Sequence, residues 1–305
     1  MIKHRSIDRF SCDLQWHAKR LPSRFFDFFL GDKYAFFRSI FGSYTSLEGT
    51  VFLKNGTGNT NWYIDSSNLK TQLSAYIEKN QMRLSDTLDM HFYANPTFNQ
   101  LLLKDIHPFF QHIASSSFPV RLSIPKKDFI LPMNVKDISL KNARLDLGKI
   151  TCYNQGLLKD AVHLVKNGTL FKDHKLDVWF TPLYFSVKDG VVQSERMDVL
   201  IGDLLHFFIW GDVDFWHNQT NMTLAVDSAS LKQALSIKDL PNDFVFTVPV
   251  AGSQTSPHLE DRSQKRYIEG LLTQNKEELQ DLYEMQKKQR YPQFVEEQLP
   301  WSYER

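Results

Sequence analysis

From residue 176 to residue 250 the chain alternates apolar and polar positions with a period of two. Leu183, Phe185 and Val187 alternate with Tyr184, Ser186 and Lys188, and Asp189-Gly190 supplies a tight turn before Val191. Met222, Leu224 and Val226 repeat the pattern against Asn221, Thr223, Ala225 and Asp227. Phe244, Phe246, Val248 and Val250 repeat it again. A period of two sends alternate side chains to opposite faces of a sheet, and Asp-Gly or Asn-Gly pairs suit two-residue hairpins. The pattern predicts a β-meander with one apolar face. Residues 199–216 are the most apolar stretch, yet Asp203, His206, Asp212 and Asp214 interrupt them. They fall short of the ~20 continuous apolar residues of a spanning helix and read as two strands joined at Gly202-Asp203.

A second meander is predicted over residues 46–95. Thr50-Val51-Phe52-Leu53 leads into Asn55-Gly56, Trp62-Tyr63-Ile64 resumes, and Leu69, Thr71, Leu73, Ala75 and Ile77 alternate with polar neighbours up to Lys79-Asn80. Between the meanders, Asn95-Pro96 is a helix cap with proline at the first helical position. Phe98, Leu101, Leu102, Ile106, Phe109 and Phe110 follow at helical spacing, divided by Pro108. Short strands over 120–124 and 134–147 precede a helix over 157–165.

The two ends differ from this middle. Residues 1–45 are rich in phenylalanine (Phe25, Phe26, Phe28, Phe29, Phe36, Phe37, Phe41), with glycine stops at Gly31 and Gly42. They read as a helical segment capping the sheet, or as a surface touching a membrane or partner. Residues 261–290 carry Ile268, Leu271, Leu272, Leu279, Leu282 and Met285 among Lys, Glu, Gln and Arg, an amphipathic helix docked on a sheet edge or a partner. An extended stretch from 291 to 305 closes the chain. The expected class is mainly β with α additions: antiparallel meanders curled into an apolar groove, a helical N-terminal segment and a helical C-terminal tail. The expected divisions are 1–45, a β-rich module at 46–258 with inserted helices near 96–114 and 157–166, and 259–305.

Composition narrows the function. A net charge of +1 over 305 residues argues against a nucleic-acid binder, which shows a basic excess or stripe. Cys12 and Cys152 make no C-x-x-C pair and no disulfide framework. Residues 1–10 hold charges without a following apolar core, so they are not a signal peptide. The sequence holds no G-x-S-x-G elbow, P-loop, H-E-x-x-H or strand-linked G-x-G-x-x-G. Gly56-Thr57-Gly58 lacks the following helix that a phosphate cradle needs. His107 and His112 stand five apart, off the spacing that puts two ligands on one helix face, and read as structural or solvent-facing. Asp212 and Asp214 share one strand face and read as the solvated side of Val213 and Phe215. Glu195 and Asp198 read as surface charges near a turn. No catalytic residue, metal or cofactor is expected.

Several segments resemble the C-terminal module of the AsmA-like bacterial envelope proteins, of the translocation-and-assembly-module B type. They are Leu101-Leu102-Leu103-Lys104-Asp105-Ile106-His107-Pro108 with Phe118-Pro119-Val120-Arg121-Leu122; Ala143-Arg144-Leu145-Asp146-Leu147-Gly148 within 140–150; Asp189-Gly190-Val191-Val192 continuing to Trp210-Gly211-Asp212-Val213-Asp214; and Phe246-Thr247-Val248-Pro249-Val250-Ala251-Gly252-Ser253, closing at Pro257. The resemblance spans most of 46–258. It implies a non-enzymatic protein of the bacterial cell envelope, membrane-associated on the periplasmic side, whose apolar β-groove binds or conducts phospholipid acyl chains between membranes. It also implies an inner-membrane anchor or outer-membrane partner protein, with the family's N-terminal membrane helix lying elsewhere. Candidate lining residues are Leu183, Phe185, Val187, Phe207, Ile209, Val213, Met222, Leu224, Val226, Phe244, Phe246 and Val248. Acyl chains satisfy such a face without polar contacts, at roughly 25 cal/mol per Å² buried. A helix-covered core is the competing reading of the same positions. The competing function is an assembly scaffold that binds protein through sheet edges and the 261–290 helix.

Overall fold

Two tight turns show how local chemistry sets the architecture. Asn55 and Gly56 adopt φ of 51° and 72°, and Asp189 and Gly190 adopt 52° and 77°. Positive φ at both central residues matches the right-handed twist of flanking strands, so each pair closes a hairpin where the sequence predicts one. The computed structural model describes residues 10–23, 25, 34–78, 81–132, 138–165, 173–202, 205–237, 240–260, 270, 277, 280–281, 283–284 and 291–292.

The strands are antiparallel. In chain order they are β1 (Cys12–Pro22), β2 (Tyr44–Lys54), β3 (Thr57–Ser66), β4 (Leu69–Glu78), β5 (Gln81–Leu84), β6 (Leu88–Phe92), β7 (Ile113–Ser116), β8 (Val120–Ile124) and β9 (Phe129–Pro132). There follow β10 (Ser139–Asp146), β11 (Gly148–Tyr153), β12 (Lys175–Phe180), β13 (Leu183–Lys188), β14 (Val191–Ile201), β15 (Leu205–Asp214), β16 (Gln219–Asp227), β17 (Val245–Ser253) and β18 (Ser256–Leu259). Three α-helices of eight residues or more accompany them among the described residues: α1 (Tyr34–Phe41), α2 (Gly156–Val165) and α3 (Ser228–Leu235). None of the helices is long and apolar enough to cross a membrane.

The chain forms two compact units. The first draws on residues 1–98, 117–146 and 185–190, the second on 99–116, 147–184 and 191–305. In the first unit, β1, β2, β3 and β4 pair in succession. β4 then pairs with β6 through its first half and with β5 through its second, and these branches reach β10 through β8 and β9. In the second unit the order is β7, β11, β12, β14, β15, β16, β17, β18.

The predicted helical segment at 1–45 is corrected in part. Helix α1 forms and stops at Gly42 (φ 76°), but Cys12–Pro22 is a strand. Leu14, Trp16 and Ala18 alternate there with Asp13, Gln15, His17 and Lys19, a period that pairing with β2 rewards. Residues 1–9 and 26–33 lie outside the described residues. The helix expected near 96–114 forms as one uninterrupted helical run over 96–106, α-helical at Pro96–Phe98 and Lys104–Ile106 with a π-helical stretch Asn99–Leu103 between them, followed by a separate 3-10 turn Pro108–His112. Asn95 caps it as expected, its Oδ1 accepting from the N–H groups of Thr97 and Phe98. Pro108 opens a new turn rather than bending an old one, because the preceding His107 is extended. Of the expected 261–290 helix, residues 270, 277, 280–281 and 283–284 are helical, and the remainder lies outside the described residues.

Candidate functional site

The twelve predicted lining residues fall almost wholly inside the protein. Eleven are buried, none more than 5% exposed; Val187 alone is half-buried. Strand register explains their grouping. Val199 faces Phe207, Phe207 faces Val226, Val226 faces Phe246, and Ile209, Leu224 and Val248 form the next row. Phe180 pairs with Val199 on this face, and Phe110 packs edge-on against Phe180, with ring centroids 5.6 Å apart. The Pro108–His112 turn therefore covers the face, with α2 packed against that turn and α3 against β15 and β16. These eleven side chains line no open surface; apart from Phe185, which belongs to the first unit, they are part of the core of the second unit.

On the opposite face of the same strands lies a polar cluster around Asp198, a residue expected at the surface. The Asp198 side chain is only 1% exposed. Its Oδ1 accepts from Arg196 Nε at 2.7 Å and its Oδ2 from Arg196 Nη2 at 2.8 Å. His206 Nε2 lies 2.8 Å from Asp198 Oδ2, and His206 Nδ1 lies 2.7 Å from Asp227 Oδ2. Asp227 also caps α3, its Oδ1 accepting from the Ser230 N–H at 2.7 Å. The Arg196 guanidinium lies 4.0 Å from the centroid of the Phe208 ring and donates to the Pro292 carbonyl. Burial alone would depress the His206 pKa. Hydrogen bonds and charge from Asp198 and Asp227 outweigh burial and hold it up at about 9. Burial likewise opposes ionisation of Asp198, but His206 and Arg196 keep its carboxyl below the usual range. The cluster ties β14, β15 and β16 together by charge-assisted hydrogen bonds. Glu195 is exposed, as expected.

An apolar surface that remains partly open lies in the first unit. Register places Leu14, Trp16 and Ala18 of β1, Leu47, Val51 and Leu53 of β2, Trp62 and Ile64 of β3, and Leu73 and Ile77 of β4 on one face. Leu14 is 54% and Trp62 39% exposed, while Leu47, Val51, Ile64, Leu73 and Ile77 are half-buried. Trp16 lies over Gly49, where any Cβ would strike its ring, and meets Trp62 at 4.6 Å between centroids. The reverse face is mostly polar, with Asp13, Gln15, His17, Glu48, Thr50, Asn61 and Gln72 and a bidentate Arg121–Asp89 pair at 2.7 and 2.6 Å, though it also carries Phe52, Tyr63 and Tyr76. The sequence signal for the apolar face is the 46–77 alternation already read as a meander.

Burial pushes His107 down to about 3, and its Nδ1 accepts from the Phe109 N–H. Cys152 is buried and raised to about 12 by burial and the nearby Asp177 charge; Cys12 and Cys152 are both free. Asp214 closes a turn by accepting from the Trp216 and His217 N–H groups. Among the described residues, no group of three or more His, Cys, Asp or Glu side chains is placed to hold a metal ion. Comparison with protein-family models, with curated proteins and with solved structures finds no match.

Proposed function

We propose that this chain is a non-enzymatic lipid-binding protein that lays phospholipid acyl chains along the apolar face of β1–β4. The observation that carries the reading is that face itself: a continuous run of Leu, Val, Ile and Trp across four paired strands, left partly open, with Leu14 and Trp62 exposed. Acyl chains match it because they need no polar partner, and each Å² they remove from water is worth roughly 25 cal/mol. The polar reverse face and the half-buried aliphatic row together give the β1–β4 region the two-sided character of a lipid-facing groove wall. The resemblance to AsmA-like proteins sets this role in the bacterial cell envelope, with lipid moving passively between membranes. The site thus differs from the lining expected in residues 183–248, eleven of whose twelve side chains are buried.

A photoactivatable phospholipid tests this directly. Cross-linked peptides are expected to come from residues 12–18, 47–53, 60–64 and 73–77. Adducts confined to the polar face, or none above background, would overturn the reading.

A further inference from the structure

Strand β1 pairs with β2 along one edge, and no other described strand pairs with its opposite edge. Such an edge presents unpaired N–H and C=O groups to whatever strand fits it. We propose that the fitting strand is β1 of a second copy of this chain, paired antiparallel about a twofold axis at Trp16. The order of residues argues for this occupant. Pairing centred on Trp16 sets Asp13 opposite Lys19 of the second copy, Leu14 opposite Ala18, and Gln15 opposite His17, each combination occurring twice. Paired residues share a face, so Leu14, Trp16 and Ala18 of both copies join on the apolar side and the Asp13–Lys19 pairs form on the polar side.

Three features support it. Asp13, Leu14, Gln15, His17 and Lys19 are exposed, and neither Asp13 nor Lys19 has an ion-pair partner among the described residues. The regular pairing of β1 with β2 ends at Ala18 and resumes at Leu21, with Arg20 at φ 49°, so Lys19 stands at the start of the bulge and bounds the pairing window. Neighbouring registers lose the match. Centring on Gln15 puts Lys19 against Ser11, and centring on His17 puts it against Gln15. An edge lysine normally repels added strands; here the twofold supplies it with an aspartate. The inference is independent of lipid binding, because the polar-face charges carry it. It would also extend the apolar face of one copy into that of the other.

Sedimentation of the full chain across the micromolar to submillimolar range tests it. The expected result is a concentration-dependent dimer, since a contact this small gives a weak, reversible association. Lys19→Asp is expected to weaken the dimer roughly tenfold or more, as two attractive cross-strand pairs become repulsive. Asp13→Lys combined with Lys19→Asp restores it, because the swap keeps the pairs complementary. Circular dichroism of both variants checks that the exposed substitutions leave the fold intact. A chain monomeric throughout the range would overturn the proposal, as would a dimer indifferent to both variants. A monomer that instead captures an unrelated extended peptide at this edge would assign the edge to another partner and overturn it too.

Discussion

Between Asp198 and Asp227 the His206 imidazole exchanges water for two charge-assisted hydrogen bonds, and its proton is held up to a pKa of about 9. The ordinary histidine value of 6.5 applies once the chain unfolds. A folded pKa above the unfolded one stabilises the fold fully below about pH 6.5, and that contribution is lost as pH rises through about 9. Urea unfolding from pH 6 to 10 should therefore show stability falling by on the order of 2–3 kcal/mol across that window, and His206→Gln should flatten the fall. A wild-type profile already flat over that window would contradict the assignment. The face of Asp198 is legible from the sequence, since period two sets it opposite Val199. What covers that face is not. Arg196 reaches Asp198 across a bulge between Ser194 and Met197, and the Arg196 contact to Pro292 spans ninety-six residues, so neither has a local signal.

Elements form where local chemistry and pairing agree. Asn55-Gly56 and Asp189-Gly190 needed only their own residue types to be read as hairpins, and Gly42 ended α1 for the same backbone reason. At Gly190, φ of 77° means that Gly190→Ala should cost roughly 1–2 kcal/mol, while Gly190→Asn, which tolerates the left-handed region, should cost less. The ordering of the two unfolding midpoints in urea checks this; an alanine variant as stable as wild type would refute it. Strand β1 shows the opposite case. Its alternation was present in Leu14, Trp16 and Ala18, but the phenylalanine cluster after Ser23 drew the whole segment toward helix. Pairing with β2 decided the conformation, a contact that closes across the 21 residues between Pro22 and Tyr44. The run after Asn95 has helical spacing and is helical over 96–106, until extended His107 and Pro108 end it and start a separate turn.

At the scale of the whole molecule, alternation made two apolar sheet faces equally visible in the sequence. It could not say which one the chain would cover with its own helices and turns. In the second unit Phe110 lies against Phe180, α2 packs on its turn, and α3 packs on β15 and β16, so Leu224 and Val248 become core. In the first unit the face of Leu47, Ile64 and Leu73 stays partly open. The proposed lipid site follows from that asymmetry of cover, which long-range packing alone sets. Native mass spectrometry of the purified chain, with lipid extraction, compared against Ile64→Arg, tests the claim most directly. The account predicts phospholipid bound to the wild type in stoichiometric amount and lost from a folded Ile64→Arg. A lipid-free wild type, or a variant that keeps its lipid, would contradict it.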